Sequence, residues 1–340
     1  MNHPRTLAAA WLLAVLAAGC GGEPERPGLL LITIDTCRAD RIGCYGGGHC
    51  ETPAIDGLAQ RGTVFLDAAA PAPLTLPSHC TILTGLYPDR HTIRDNGVGR
   101  LPDEARTLGE ILGERGWRTA AFVSAVPVEE EFGIAQGFDL YDDDLTGSGG
   151  GDGDDRAREV AERFFFDERL GPQTADAALP WLREAASSGE PFFAWVHFFD
   201  PHAVYQPTGR HAQRYGPNSY EGEVSLVDEQ VGRLLEALGD RRDRVTVLVT
   251  ADHGEALGEH EERSHGLFIY QSTIHVPWVM AGPAVPTGRR VTGAVSLVDV
   301  LPTTLDALGL PVPEDLDGVS RLEAARTDGA ADGTTYAESL

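Results

Sequence analysis

Leu29-Leu30-Leu31-Ile32-Thr33-Ile34 is an apolar run that stops at Asp35. A short run bounded in this way suits a strand buried on both faces. Two further runs follow the same pattern. Phe192 to Phe198 leads into Asp200-Pro201-His202, and Val245 to Val249 leads into Thr250-Ala251-Asp252-His253-Gly254. Thr119 to Val123 and Val276 to Met280 add two more predicted strands. Helical stretches lie between them. Thr52 to Arg61 has Thr52 at the N-cap position and Pro53 in the first turn. Leu108 to Arg115 follows a Thr107/Glu110 capping-box pair. Tyr220 to Leu238 carries Val224, Val227, Val231, Leu234 and Leu238 at helical spacing, and Leu297 to Leu308 closes the set. Strands alternating with helices predict an α/β domain around a mostly parallel sheet.

The chain has 340 residues, room for a sizeable core. Its 27 basic residues are all Arg and face 52 acidic ones, a net charge of −25. That balance argues against nucleic acid as a partner. It leaves open a small anionic substrate, since a metal or a few Arg can reverse the local field. At the N-terminus, Leu7 to Ala18 is apolar but too short to span a bilayer, and it ends in Ala17-Ala18-Gly19-Cys20. Residues 1–19 therefore read as a signal peptide, and Cys20 resembles the lipidated residue of a bacterial lipobox. An ordinary signal peptide with an incidental Cys is the alternative. Residues 20–28 read as a polar tether, and 29–340 as one folded domain. This organisation predicts an extracytoplasmic protein of the bacterial envelope, held to the membrane by a lipid. Cys44 and Cys50 flank a Gly-rich loop and could pair, although free thiols are equally consistent. Asp142 to Asp155 is Asp- and Gly-rich and reads as a solvated loop, without the spacing of a calcium loop.

Three buried-looking strands end at possible metal ligands: Asp35, Asp200 with His202, and Asp252 with His253. Open α/β sheets bind ligands beyond the carboxyl ends of their strands. Carboxylate oxygen suits hard cations, and imidazole adds affinity for zinc or manganese.

These segments together resemble a family. Leu31-Ile32-Thr33-Ile34-Asp35-Thr36, Arg38-Ala39-Asp40 and Tyr45-Gly46 are similar to the opening of sulfatases and their relatives in the alkaline phosphatase superfamily. Thr52 to Ala59 is similar to the first helix of that family. Ala72 to His79, Leu83 to Pro88 and Arg90-His91 resemble its nucleophile segment. His197 to His202, Thr250 to Glu255 and Leu257 to His260 complete the likeness. The resemblance implies an alkaline-phosphatase-like three-layer sandwich. The family's smaller C-terminal subdomain is expected to be truncated, because relatives continue past the segment resembling Thr335 to Leu340.

The resemblance also implies roles. Asp35, Asp252, His253 and Thr75 would hold a divalent ion (calcium, manganese or zinc), with Thr75 as nucleophile. His202 would contact the anionic group or protonate the leaving oxygen. His265 would bind substrate or, with Asp200, a second metal. Apart from the resemblance, His79, Arg94 and Asn96 are further substrate-binding candidates, Arg94 and Asn96 because they follow the nucleophile helix, where a solvated turn is equally consistent.

Departures from the family shape the expected chemistry. Sulfatases oxidise a Cys or Ser at the nucleophile position to formylglycine, and Thr75 cannot follow that route. The supporting Arg is replaced by His79, and the second Asp of the opening pair is Thr36. Cys37-Arg38-Ala39-Asp40-Arg41 fits a formylglycine pattern but lies far upstream of the usual place. A metal-activated Thr hydroxyl suits phosphomonoesters or phosphodiesters. Hydrolysis of sulfuric esters, transfer of a phospho-group to an envelope alcohol, and a non-catalytic binding lipoprotein are the alternatives. His197, in register with Trp195 and Phe193, reads as a buried, hydrogen-bonded His.

Overall fold

The computed structural model describes residues 27–145, 168–327 and 329–339. Cys20, the signal peptide, most of the tether and residues 146–155 of the Asp/Gly-rich stretch lie outside the described residues. Eight strands form one sheet: β1 Gly28–Ile34, β2 Thr63–Ala69, β3 Arg118–Phe122, β4 Leu140–Asp142, β5 Phe192–Phe198, β6 Val245–Ala251, β7 His275–Ala281 and β8 Arg289–Ser296. Their spatial order is β4-β3-β5-β1-β6-β7-β2-β8. Only β7 runs against its neighbours. The sheet is therefore mostly parallel, as the doubly apolar strands require.

Among the helices that pack on this sheet or on one another are α1 Pro53–Gln60, α2 Thr75–Thr84, α3 Leu108–Gly113, α4 Gly171–Ser188, α5 Tyr220–Ala237 and α6 Val300–Ala307. Side chains alternate across a strand, so Phe192 and Trp195 of β5 face opposite sides. Phe192 meets Trp181 of α4, with ring centroids 6.1 Å apart. Trp195 meets His79 of α2 at 5.5 Å. Helices thus cover both faces, and the molecule is the expected three-layer sandwich. Every residue of β1, β5 and β6 is buried. Among the described residues, no helix is long and apolar enough to cross a membrane.

The Thr107/Glu110 capping box forms as read: Glu110 N–H donates to Thr107 Oγ1 at 3.1 Å, and Thr107 N–H donates to Glu110 Oε2 at 2.9 Å. Two readings need correction, those of the 297–308 segment and of Thr52, and the alternative left open for Cys44 and Cys50 is answered. The 297–308 segment opens with a tight 3-10 turn, Leu297–Asp299, before α6. Cys44 and Cys50 are free thiols, as are the buried Cys37 and Cys80. Thr52 does not cap α1 through its side chain, because its hydroxyl accepts Gly43 N–H at 2.9 Å. Asp228 of α5 takes over that task, accepting Ala54 N–H and Ile55 N–H, each at 2.9 Å.

Asp228 is buried, and burial pushes its carboxyl up to about 7. Asp228→Ala would leave both α1 amides without this acceptor. Thermal unfolding should show a loss of about 3 kcal/mol, and Asp228→Asn, which keeps one acceptor oxygen, a smaller loss. Equal stability of wild type and Asp228→Ala would refute this capping role.

Candidate active site

β5, β1 and β6 lie side by side, with Ile34 paired to Phe198 on one side and Ala251 on the other. The three chains leave the sheet at one level. Asp35, the Asp200–His202 segment and Asp252-His253 consequently emerge together at the carboxyl edge.

Asp35, Asp252 and His253 are fully buried, and their ligand atoms all lie within 4.8 Å of one another. His253 Nε2 is 3.7 Å from Asp35 Oδ1 and 3.5 Å from Asp252 Oδ2. None of these three atoms has a hydrogen-bond partner. Burying such groups unpaired is costly. Burial pushes Asp35 above its ordinary value, opposed by His202, His265 and His79. Burial also drives Asp252 well up, and the charge of Asp35 adds to the effect. A divalent cation relieves both penalties. His253 is prepared for one: its Nδ1–H donates to Gly254 carbonyl at 3.0 Å, which leaves the Nε2 lone pair facing the carboxylates. Burial, then His265, holds that ring well below its ordinary pKa, in the neutral form a ligand needs. The residues present therefore fit a divalent ion.

Thr75 is the first residue of α2, and its hydroxyl donates to Asp35 Oδ2 at 3.2 Å. The positive end of the helix dipole lies at this point. Asn96 Oδ1 accepts the neighbouring Leu76 N–H at 2.8 Å, so Asn96 holds the helix start. His79 is not a substrate contact. It is fully buried, and both ring nitrogens are occupied. Trp195 Nε1–H donates to Thr33 Oγ1 at 2.9 Å, Thr33 Oγ1–H donates to His79 Nε2 at 3.0 Å, and His79 Nδ1–H donates to Thr75 carbonyl at 2.8 Å. His79 thus props the backbone at Thr75. Arg94 is also corrected: its guanidinium is half-exposed and pairs with Glu338 at 3.3 Å.

His202 and His265 reach the open side of the cluster. His202 Nδ1–H donates to Ala203 carbonyl at 2.7 Å, which leaves Nε2 as the second ring nitrogen. Its ring stacks on Phe199 at 4.2 Å. Burial lowers its pKa, partly offset by Asp35. His265 lies 5.1 Å from His202 and 4.4 Å from His253, centroid to centroid. Burial alone would depress His265, but the bond to Glu255 Oε1 at 3.3 Å together with the charges of Glu255, Asp35 and Glu262 makes the net shift upward. Asp200 Oδ2 accepts Gly171 N–H at 2.7 Å, and burial pushes Asp200 up to about 6. Among the described residues, no group of three ligands includes Asp200 with His265.

Two residues contribute more than their sequence context indicates. His197 Nε2 has no partner and lies 3.7 Å from Asp35 Oδ2, so His197 is part of the cluster's wall rather than a satisfied core histidine. Its place in β5, opposite Thr33 of β1, is the available signal. Glu255, fully buried, orients His265.

The family model described as Sulfatase matches residues 27–310. Arylsulfatase K of Homo sapiens is 26% identical over 379 residues, covering 93% of this chain and 70% of that protein. N-acetylgalactosamine-6-sulfatase of Canis lupus familiaris is 28% identical over 381 residues, covering 94% and 71%. A solved structure in complex with its substrate D-glucosamine-2-N,6-O-disulfate superposes with a TM-score of 0.76 at 21% identity, covering 92% of this chain and 84% of that one. The phosphonate monoester hydrolase of Agrobacterium radiobacter gives 0.69 at 21%, covering 91% and 79%. With the ordered motifs, the sheet and the metal-ready cluster all in place, the chain is a sulfatase-like ester hydrolase and belongs to the sulfatase family.

Proposed function

We propose that this protein hydrolyses an organic sulfuric ester at the Asp35/Asp252/His253 cluster, with Thr75 as the nucleophile. The observation that carries the reading is the Thr75 hydroxyl, hydrogen-bonded to Asp35 at the start of a helix and beside the cluster. The sulfatase names of its relatives support the sulfuric ester. Asp35 is placed to accept the hydroxyl proton as Thr75 Oγ1 attacks sulfur. The helix start favours the negative charge of the transferring group. His202, or His265 held by Glu255, supplies a proton to the departing alcohol oxygen. Water then cleaves the Thr75 ester and restores the hydroxyl. Asp35, Asp252 and His253 would hold a divalent ion that, when bound, neutralises charge on the reacting oxygens and favours ionised Thr75. The imidazole in the set favours zinc or manganese over calcium.

A second reading, hydrolysis of phosphomonoesters or phosphodiesters, is favoured by Thr75 itself. An unmodified hydroxyl lacks the hemiacetal route by which formylglycine releases sulfate, whereas a phosphothreonine can be hydrolysed directly. A solved neighbour named as a phosphonate monoester hydrolase is consistent with this reading. An extracytoplasmic location, with a lipid on Cys20 at the membrane, remains part of the proposal.

Turnover of nitrophenyl sulfate and nitrophenyl phosphate by the full chain tests the chemistry. Thr75→Ala should lower the rate on the true substrate by at least about 1,000-fold, while Thr75→Ser retains measurable turnover. Sulfate turnover that survives Thr75→Ala would sink the Thr mechanism. Product appearing on an added alcohol would identify a transferase, and tight ligand binding without turnover a binding protein.

Metal occupancy has its own readout. Zinc or manganese at about 100 times its dissociation constant should stabilise the fold by about 2.7 kcal/mol in thermal unfolding. Asp252→Asn should remove most of that gain. A thermal midpoint indifferent to both ions and to chelator would dispose of the proposed cation site.

A further inference from the structure

β1 starts at Gly28 beside Val245 of β6, and β7, running the other way, ends on the other flank of β6 at Ala281. This edge of the sheet lies opposite the one that carries Asp35 and Asp252, and strands of seven residues set the two about 20 Å apart. A cavity of about 260 Å³ opens here. Leu58, Val245 and Val247 give it an apolar wall, and Arg61, Arg242 and Asp243 give it charge. The backbone around it is fixed. Thr287 Oγ1–H donates to Arg61 carbonyl at 3.2 Å, and Arg289 N–H donates to Gly62 carbonyl at 3.2 Å. A Cβ at Gly62 would collide with Met280 carbonyl oxygen, so glycine lets the turn after Arg61 close on β7.

The two arginines are poorly balanced. Arg242 Nε is buried and has no hydrogen-bond partner. Burial, then the charge of Arg61, lowers the Arg242 pKa, against Asp243 and Glu236. Arg61 reaches Asp243 only at 3.8 Å, and that carboxylate is 94% exposed. Such a pair is worth little in water. Two guanidinium groups of one sign beside an apolar wall suit an anion that bridges them.

We infer that Arg61 and Arg242 grip a tetrahedral oxyanion in this cavity, and that it is the phosphate of an anionic membrane lipid. The chain enters the sheet at this same edge. Eight residues, Cys20 to Pro27, lead to Gly28, a reach of at most about 30 Å. With the lipid on Cys20 proposed above, on which the choice of a lipid phosphate rests, the cavity stays within that distance of the bilayer while the catalytic edge stands clear of it. The net charge of −25 sets most of the surface against an anionic bilayer, so contact falls to a locally positive edge.

Isothermal titration of the full chain with dihexanoylphosphatidylglycerol, its phosphatidylcholine counterpart and inorganic phosphate tests the site, both lipids being kept below their micelle concentrations. The glycerol lipid should bind at least about fivefold more tightly than the choline lipid, whose own cation competes for the phosphate. Arg61→Gln and Arg242→Gln should each weaken the glycerol lipid at least about tenfold. Arg290→Gln is the control: Arg290 opens β8 at the same edge but lines a separate cavity and donates to Cys44 carbonyl at 2.8 Å. It should change the affinity less than about twofold. If Arg61→Gln fails to fold, Arg242→Gln decides alone. Equal affinity for the two lipids, binding that survives Arg242→Gln, an equal loss in Arg290→Gln, or binding of inorganic phosphate alone would each overturn the proposal. The mass of the N-terminal peptide reads the anchor separately, so failure of the anchor and failure of the cavity are different results.

Discussion

Two carboxylates, Asp35 and Asp252, are held together out of water at the ends of adjacent parallel strands. Everything around them manages that constraint. Asp252 Oδ1 accepts Thr36 N–H at 3.2 Å and His253 N–H at 2.7 Å. Bringing the Thr36 amide round places this β-branched residue in the left-handed region, at φ +52°, a conformation that has to be held by its surroundings. Tyr220 of α5 holds it. Its hydroxyl donates to Thr36 carbonyl at 2.7 Å and accepts Arg38 N–H at 3.0 Å. Five histidines then line the cluster, three of them with a backbone carbonyl fixing Nδ1 as the donor.

A second network secures the loop beyond Asp252. The Arg38 guanidinium forms a bidentate pair with Asp40, at 2.9 and 2.8 Å. It also reaches Glu259 at 2.7 Å and Glu255 carbonyl at 3.1 Å. Through Glu255 this anchor extends to His265, so a residue next to the opening strand positions a histidine more than two hundred places later in the chain. Four acceptor atoms explain why a guanidinium, with its planar fork of donors, occupies the spot.

Much of this was legible in the sequence because burial on both faces leaves a strong trace. β1, β5 and β6 are predominantly apolar runs, and each leads into polar residues at the carboxyl edge. The capping box before α3 is legible because two side chains three residues apart settle it locally. Other features were hidden. Pro180 interrupts α4, so its helical pattern is not obvious, and β2 and the edge strand β8 beside it mix apolar with small and polar residues and are partly exposed. The cap of α1 comes from α5, a tertiary contact that no local pattern encodes. His79 is a substrate candidate by its place in the nucleophile segment, and Arg94 by following the helix there. Only the packed structure shows one sealed behind Thr75 and the other turned to Glu338. His197 carries no special signature in the chain, because its importance arises from the neighbouring strand.

The line of hydrogen bonds from Trp195 through Thr33 and His79 to the Thr75 carbonyl crosses from β5 over β1 to α2. It ties Thr75 to the middle of the sheet rather than to a surface loop. Displacing Thr75 means prising apart the most cooperative part of the fold, so its alignment and the native state should persist or fail as a unit.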